Sequence, residues 1–300
     1  MIRRLPTALV LLLVAFSASV VAACGKEEAS LLDRAFKQEI RSATLSMRIE
    51  VSGPKGSGPA FGVTMRGPFK DNGKGKLASF DWKVRGKGMA AGGLDARIVS
   101  SGRNVFVEYE GETYEVGERE IARFQRESRK GGSEEIEDLE DAQRLGLRLQ
   151  DWFPRSDVEE DSRVGDEPTT RVSGKLDVSA ALKDLRELAS NPALAADPTL
   201  KEFKQLSPAE IAKLDKLVSD PRFAVDVAKG DGKPRRIEAT MAVRERPGGP
   251  AQTVRVVLTL SDVDQPVDIQ APSGGKPIER LLERLGGQGG AVDPEAPVES

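Results

Sequence analysis

The sequence predicts an α+β fold in which one large antiparallel sheet has an apolar face that helices cover. Three observations lead to this fold class. Apolar and polar residues alternate with a period of two in many short segments, as is typical of strands with one solvated face. Short turns rich in glycine and proline separate these segments, and such connections favour antiparallel pairing. Apolar residues at helical spacing cluster near the start, the middle and the end of the chain.

The first 23 residues have the layout of a secretory signal peptide. Arg3 and Arg4 precede an uncharged stretch from Ala8 to Ala23, and small residues stand directly before Cys24. The apolar part is short for a membrane span, which needs roughly 20 apolar residues. An uncleaved helical anchor with an incidental cysteine is the alternative interpretation.

The segment Val21-Ala22-Ala23-Cys24 resembles the bacterial lipobox, and Cys24 is the only cysteine of the chain. In that signal the thiol receives a diacylglycerol, the peptide bond before it is cut, and the cysteine becomes the first residue. A thiolate is a strong nucleophile, which suits this chemistry. The resemblance implies a covalent diacylglycerol on Cys24, with or without an N-acyl chain, and a location on the extracytoplasmic face of the cell membrane.

The composition argues against several classes of function. Removal of residues 1–23 changes the net charge from −3 to −5, because Arg3 and Arg4 are lost, and this mildly acidic balance does not indicate nucleic acid binding. The chain has no histidine, which excludes Ser-His-Asp and Cys-His catalysis and the common zinc sites. We therefore expect a protein that is not an enzyme and holds no metal. Two carboxylates facing each other across a cleft, as in a glycosidase, remain compatible with the sequence.

The first half of the chain predicts a helix and then about six strands. The helix covers residues 31–42, where the apolar positions share one face. The alternating strands that follow it are residues 43–51, 61–66, 80–85, 94–99 and 105–109. A hairpin turning at Glu110-Gly111 adds the sixth strand.

The second half predicts helical segments between further strands. The predicted helices are residues 117–130, 133–147, 179–190, 207–220 and 276–285. The predicted strands are residues 169–179, 223–227, 237–244, 254–261 and 266–272. Ser207, Pro208 and Glu210 form a start signal for one helix. The Trp152-Phe153-Pro154 segment closes the helical insertion as an apolar plug, with a lid hinge as the alternative interpretation.

These elements divide the chain into four segments. Residues 1–23 are the signal peptide, and residues 24–30 are the lipidated cysteine with a polar tether. Residues 31–285 form the folded domain. Residues 286–300 have no core-forming pattern and are predicted to be a disordered tail.

The order of the elements resembles the LolA/LolB/LppX superfamily, and most of all the actinobacterial LppX- and LprG-type lipoproteins. The resemblance is carried by SATLSMRIEV at residues 42–51, VSGKLDV at residues 172–178, and the segments at residues 67–82 and 219–227. These motifs consist mostly of strand alternation, so they support the fold better than any particular ligand. The resemblance implies a half-barrel of about eleven antiparallel strands whose concave face is covered by helices, with an apolar cavity for a lipid or glycolipid.

The candidate ligand-binding residues are the apolar members of the alternating strands, which share one face of the sheet. They are Leu45, Met47, Ile49, Phe61, Val63, Met65, Phe80, Trp82, Ile237, Met241, Val254, Val256 and Leu258. The three methionines in this set favour adaptable packing around an acyl chain. The same residues can equally form an ordinary core packed against the helices.

Two functions follow from this sequence. The first is a membrane-anchored extracytoplasmic lipoprotein that binds or carries a lipid or glycolipid, with envelope transport proteins as its partners. The second is a lipid-anchored interaction or sensor module of an envelope complex, built on the same fold with a filled core. A continuous apolar cavity is expected for the first function alone.

Overall fold

The structure is a computed structural model, and it describes residues 26–53, 59–73, 76–88, 93–130, 152, 156–191 and 201–288. The strands are β1 (Ser42–Ser52), β2 (Pro59–Lys70), β3 (Ser79–Lys87), β4 (Leu94–Ser101), β5 (Val105–Tyr109), β6 (Glu112–Glu115), β7 (Ser156–Val164), β8 (Glu167–Lys175), β9 (Val218–Ala228), β10 (Pro234–Arg244), β11 (Ala251–Ser261) and β12 (Lys276–Pro277). The helices are α1 (Lys26–Lys37), α2 (Glu118–Lys130), α3 (Val178–Ser190), α4 (Lys201–Lys204), α5 (Pro208–Leu217) and α6 (Ile278–Gln288).

All twelve strands within these ranges form one sheet in the order β12-β6-β5-β4-β3-β2-β1-β11-β10-β9-β8-β7. Neighbouring strands are antiparallel, except that the two-residue strand β12 runs parallel to β6. The terminal strands β12 and β7 do not pair with each other, so the sheet stays open. The predicted fold class is therefore confirmed as a curved, open α+β sheet, with twelve strands where about eleven were expected.

The register brings the alternating apolar residues of neighbouring strands together. Met47 of β1 lies opposite Met65 of β2 on one side and Leu258 of β11 on the other. Ile49 pairs in the same way with Val63 and Val256. We call this side of the sheet the apolar face and the opposite side the polar face, because side chains alternate between the two along every strand.

The polar face is held by charge networks that run across the strands. Asp226 of β9 is fully buried, and its carboxylate accepts hydrogen bonds from Arg171 and Arg236, each at 2.8 Å, and from Ser162 at 2.9 Å. These three donors satisfy a buried charge that would otherwise be strongly destabilising. They also give the strands β7 to β10 a fixed register.

A second network of this kind lies on strands β3 to β5. Arg97 donates two hydrogen bonds to Asp81, at 2.7 and 2.8 Å, and one to Glu108 at 2.8 Å. The hydrogen bonds to Asp81 raise the pKa of Arg97 above its usual value, against the opposing effect of burial. The bidentate geometry is the strong form of this ion pair.

The main core lies between the apolar face of β8 to β11 and the helices α1, α3, α4 and α5. The buried helical side chains include Leu32 and Ala35 of α1, Leu182, Leu185 and Leu188 of α3, and Ile211 and Leu214 of α5. The buried strand side chains include Val172, Val225, Ile237, Met241, Val254 and Val256. We call this part of the apolar face the covered half.

Local signals explain where the helices of the covered half begin. Asp177 caps α3 by accepting a hydrogen bond from the Ala180 backbone N–H at 2.9 Å. Ser207 and Glu210 form a capping box at the start of α5, as the sequence predicts. The hydrogen bonds that the Ser207 backbone and hydroxyl donate to Glu210 lower the pKa of that carboxyl.

Several predicted boundaries are wrong. Strand β8 ends at Lys175 instead of continuing to residue 179, because Asp177 turns the chain into α3. No strand covers residues 266–272. Helix α1 begins at Lys26, inside the predicted tether.

Some features were missed, and others lie outside the described residues. Strands β7 and β12 and the short helix α4 were not predicted. Three of the sequence predictions concern residues outside the described ranges. They are the helix over residues 133–147, residues 289–300 of the tail, and the lipidation of Cys24. No helix in the described ranges combines the length and the apolar character that a membrane crossing requires.

Candidate functional site

The structure places all thirteen candidate residues on the apolar face. Leu45, Met47 and Ile49 lie on β1, Phe61, Val63 and Met65 on β2, Phe80 and Trp82 on β3, Ile237 and Met241 on β10, and Val254, Val256 and Leu258 on β11. The cross-strand pairs Ile237–Leu258 and Met241–Val254 connect the set on the β10 side. Beyond this shared face, however, the thirteen residues differ in their burial.

Five of the thirteen are packed as ordinary core. Ile237, Met241, Val254 and Val256 lie beneath the helices of the covered half, and Leu45 belongs to a second cluster on β1. All five are 2–8% exposed. Their packing matches the filled-core alternative at these five positions.

The other eight candidates are only half-buried. They are Met47, Ile49, Phe61, Val63, Met65, Phe80, Trp82 and Leu258. They continue from β1 and β11 onto β2 and β3, and we call the apolar face of β1 to β5 the open half. These side chains lie on neighbouring strands. Ile49 and Leu258 pack in part against the main core, and Met65, Trp82 and Leu258 pack in part against the second cluster.

The open half is closed at one end. Ala43, Leu45 and Leu260 are buried there, with Val263 packed against them. Hydrogen bonds hold the chain after β11 across this end, from the Ser42 hydroxyl to the Gln265 carbonyl at 2.6 Å and from the Asp264 amide to the Ser42 carbonyl at 2.7 Å. A long apolar ligand that lay on the open half would therefore not extend past this end.

Trp82 supplies a polar group on the open half. Its ring stacks on Phe80 with a centroid separation of 3.9 Å and an interplanar angle of 10°. Its indole Nε1–H is buried and has no hydrogen-bond partner in the described part of the chain. A buried donor without an acceptor is unfavourable in the folded chain.

Gly67 allows β2 and β3 to approach each other beneath this aromatic pair. A Cβ atom at position 67 would lie 1.8 Å from the carbonyl oxygen of Asp81 and 3.1 Å from the Cα atom of Trp82. Every residue except glycine would clash with the β3 backbone there. Gly67 therefore fixes the position of the strand that carries Phe80 and Trp82.

Several residues of the open half were missed from the sequence as candidates. Val84, Ile98, Val107 and Tyr109 continue the half-buried apolar face across β3, β4 and β5, where Val84 lies opposite Met65 and Ile98 opposite Trp82. The period-two alternation of their own strands could have identified them.

Trp152 has the structural role of a plug. Its indole Nε1–H donates to the buried carboxylate of Asp184 on α3 at 2.9 Å, and its carbonyl accepts from the Asp177 backbone N–H at 2.6 Å. Trp152 is itself part of the main core. The two tryptophans of the chain thus lie in different halves, Trp82 in the open half and Trp152 in the core of the covered half.

The polar face carries an open groove of about 910 Å³ over strands β7 to β10. Arg171, Lys175 and Arg222 line it together with Asp157 and Glu238. Opposite charges alternate in this groove, and Arg171 is already engaged by Asp226 and Glu238. The groove has the character of a solvated ion-pair surface. In the described residues, no group of three or more side chains of the metal-binding types is arranged to hold a metal ion.

Comparisons with known proteins were made at the levels of sequence family, curated sequences and solved structures. No family model matches the chain, and no curated protein matches it. The chain is similar to the crystal structure of LprF from Mycobacterium bovis, with 12% identity and a TM-score of 0.44 over 84% of this chain and 100% of that chain. The dehydratase domain from the CurK module of curacin polyketide synthase has 6% identity and a TM-score of 0.14 over 79% of this chain and 82% of that chain.

Proposed function

We propose that this protein is a membrane-anchored extracytoplasmic lipoprotein that binds a lipid or glycolipid through its acyl chains. The observation that carries the proposal is the open half, where apolar side chains of neighbouring strands stay half-buried while the same face of β8 to β11 is fully packed. An apolar surface that the described helices leave partly uncovered can accept an apolar occupant.

The energetics suit an acyl chain as the occupant. Burial of apolar surface stabilises a complex by roughly 25 cal/mol per Å², so a chain lying across several strands gains a favourable free energy without specific polar contacts. Met47 and Met65, which lie opposite each other, add side chains that adapt to ligands of different shape.

The anchor is a separate part of the proposal. We propose that a diacylglycerol on Cys24 holds the domain at the membrane, with or without an N-acyl chain. Mass spectrometry of the mature chain purified from membranes tests this point, with Cys24→Ala as the control. A parent chain that begins at Cys24 without added acyl mass would contradict it. Carriage of the ligand between envelope proteins extends the same proposal and requires a transfer partner.

The ligand site is best tested with brominated acyl chains, which quench tryptophan fluorescence on contact. The protein to use is the chain from Gly25, which contains every residue that the structure describes. We expect saturable quenching of the parent chain by a brominated phospholipid, because Trp82 lies on the open half. Trp82→Phe should lose the quenching, since Trp152 is buried in the main core.

The same experiment defines what would contradict the proposal. Equal quenching of the parent chain and of Trp82→Phe would place the acyl chain next to Trp152 instead of Trp82. Absence of quenching in the parent chain, together with no added mass by native mass spectrometry, would favour the anchored interaction module over a lipid carrier.

A further inference from the structure

The two ends of the open half differ in their chemistry. At the closed end, Trp82 packs against the cluster of the buried side chains Ala43, Leu45 and Leu260. Gly67 lies opposite Leu45, and the Cα atom of Trp82 lies close to Gly67 on the next strand. Trp82 therefore marks the apolar stop of the open half.

Hydrogen bonds fix two chain connections at the closed end. The Ser42 hydroxyl and the Ser42 carbonyl hold the segment that follows β11. In the connection from β2 to β3, the Asn72 side chain donates to the Leu77 carbonyl at 2.8 Å and to the Ser79 hydroxyl at 2.9 Å. The closed end is therefore fixed on β11, β1, β2 and β3.

The opposite end, which we call the mouth, is formed by Val51 of β1 and Phe61 of β2. These two residues lie opposite each other, and both are half-buried. On β11, Val254 lies opposite Val51, and the next residue on the same face is the exposed Gln252. The apolar face thus continues into a polar side chain at the mouth, whereas buried apolar side chains complete it at the closed end.

The distance between the two ends fits one acyl chain. Phe61 and Gly67 are six positions apart on β2, which corresponds to about 20 Å of strand. Lipid acyl chains fill one leaflet of the bilayer core, which is half of roughly 30 Å. Between the two ends, Val63 and Met65 supply half-buried apolar surface. A chain of the length found in membrane lipids therefore fits between Trp82 and the mouth.

We propose that the open half binds its lipid in one direction, with the methyl end of an acyl chain at Trp82 and the polar headgroup at the mouth. This inference rests on the proposed function and adds the orientation of the ligand. The reverse orientation would press a polar group against the buried apolar side chains of the closed end, where the group would lose its contacts with water. At the mouth the headgroup keeps its hydration and has the exposed Gln252 side chain near it.

The position of bromine along the chain tests this direction. Two monomeric fatty acids, one brominated near its methyl end and one near its carboxylate, are titrated into the chain from Gly25. We expect the methyl-end bromine to quench Trp82 more strongly, because bromine quenches tryptophan fluorescence on contact. Trp82→Phe is the control, since its remaining tryptophan, Trp152, is buried in the main core.

A probe at the mouth should reverse the order of quenching. The double variant Trp82→Phe and Phe61→Trp carries its tryptophan there, and the carboxylate-end bromine should quench it more strongly. The same order with both probes, the opposite order with each, or equal quenching by both fatty acids would overturn the single orientation while the proposed function stands. Absence of quenching of either probe by either fatty acid would refute the proposed function and the orientation together.

A charge at the mouth gives a second measurement that needs no new tryptophan. Gln252→Lys should strengthen binding of the fatty acid about twofold, as expected for an exposed ion pair with the carboxylate, and should leave binding of its methyl ester unchanged. Gln265→Lys is the matched control, because it makes the same change at an exposed position of the closed end. Quenching of Trp82 by the methyl-end bromine measures the affinities. A larger gain from Gln265→Lys than from Gln252→Lys would place the carboxylate at the closed end and overturn the proposal.

Discussion

The covered half and the open half of the apolar face meet at strands β1 and β11 but differ in what lies above them. Ile49 of β1 has Val256 on one side and Val63 on the other. Val256 is buried beneath the helices, whereas Val63 remains half-buried on β2. The same type of side chain therefore serves as core on one strand and as accessible surface two strands away.

The reason for this difference lies in the helices. Helices α1, α3 and α5 supply leucine, isoleucine and alanine side chains that pack onto β8 to β11. On the same face of the sheet, Val63, Met65, Trp82, Val84 and Ile98 remain partly accessible. The strand pattern therefore determines which face of the sheet is apolar, while the described helices that pack onto this face determine which of its side chains are fully buried.

The largest expected effect comes from truncating a methionine in each half. Met241 is 2% exposed in the covered half, and Met241→Ala should lower the free energy of unfolding by about 3 kcal/mol through lost burial and a cavity. Met65 is half-buried in the open half, and Met65→Ala should cost only about 1 kcal/mol. Urea denaturation measures both values. Equal losses would mean that the two halves are packed alike.

Gly67→Ala should be nearly as destabilising, although it adds a single methyl group. Its Cβ atom would lie 1.8 Å from the Asp81 carbonyl oxygen, so β2 and β3 must separate, with an expected loss of about 2 kcal/mol. Gly62→Ala on the same strand is the matched control, because its nearest contact would be an ordinary 3.7 Å. If both variants lowered the midpoint temperature of unfolding equally, the close approach of β2 and β3 at Gly67 would not be what stabilises the open half.

A smaller effect should appear in ligand affinity. Val63→Ser removes apolar surface from the open half and should weaken binding of a brominated phospholipid roughly fivefold, equivalent to about 1 kcal/mol. Val257→Ser is the control, because Val257 lies on the polar face of β11 opposite Arg48. Trp82 quenching measures the affinity of both variants. If Val257→Ser weakened ligand binding more than Val63→Ser, the ligand would lie on the polar face, which would contradict the proposal.

The smallest effect concerns the closed end of the open half. The hydrogen bond from Lys233, together with one from the Arg41 backbone N–H, lowers the pKa of Asp264. A carboxyl whose pKa is lower in the folded state stabilises the fold above its unfolded pKa of about 3.9, and this contribution is lost as the pH falls through the folded pKa. Asp264→Asn should therefore cost about 0.5 kcal/mol at neutral pH, since the pair is partly exposed.

This difference between Asp264→Asn and the parent chain should disappear as the pH falls below about 4. Urea denaturation at neutral pH and at about pH 3 checks the expectation. Asp268→Asn serves as the control, because the exposed Asp268 accepts a hydrogen bond from the Gln270 side chain. A difference that persists unchanged in acid would show that the charge of Asp264 is not its source.

Strand alternation made most of the sheet predictable. The unbroken pattern from Ala43 to Val51 predicted β1, and the Glu110-Gly111 hairpin occurs with positive φ angles of 51° and 78° at these two residues. Ser207 and Glu210 predicted the start of α5 because a capping box is a local feature. Signals of this kind act within a few residues, so they survive in any tertiary context.

Other elements depend on contacts between distant segments and could not be predicted. Strand β7 carries the exposed acids Glu159, Glu160 and Asp161, which obscure its alternation, and it exists as an edge strand because β8 pairs with it. Strand β12 has two residues and forms only by pairing with β6. The division of the candidate site into a covered and an open half is of the same type, because α1 and α3 are separated by more than a hundred residues in the chain.

The position of helix α1 has a consequence for how the domain rests on a membrane. Since α1 begins at Lys26, a lipid on Cys24 would be joined to the folded domain by a link that reaches about 7 Å at most. Such a short link would keep the folded domain close to the membrane surface. It would also raise the effective concentration of the domain's own surface at the bilayer.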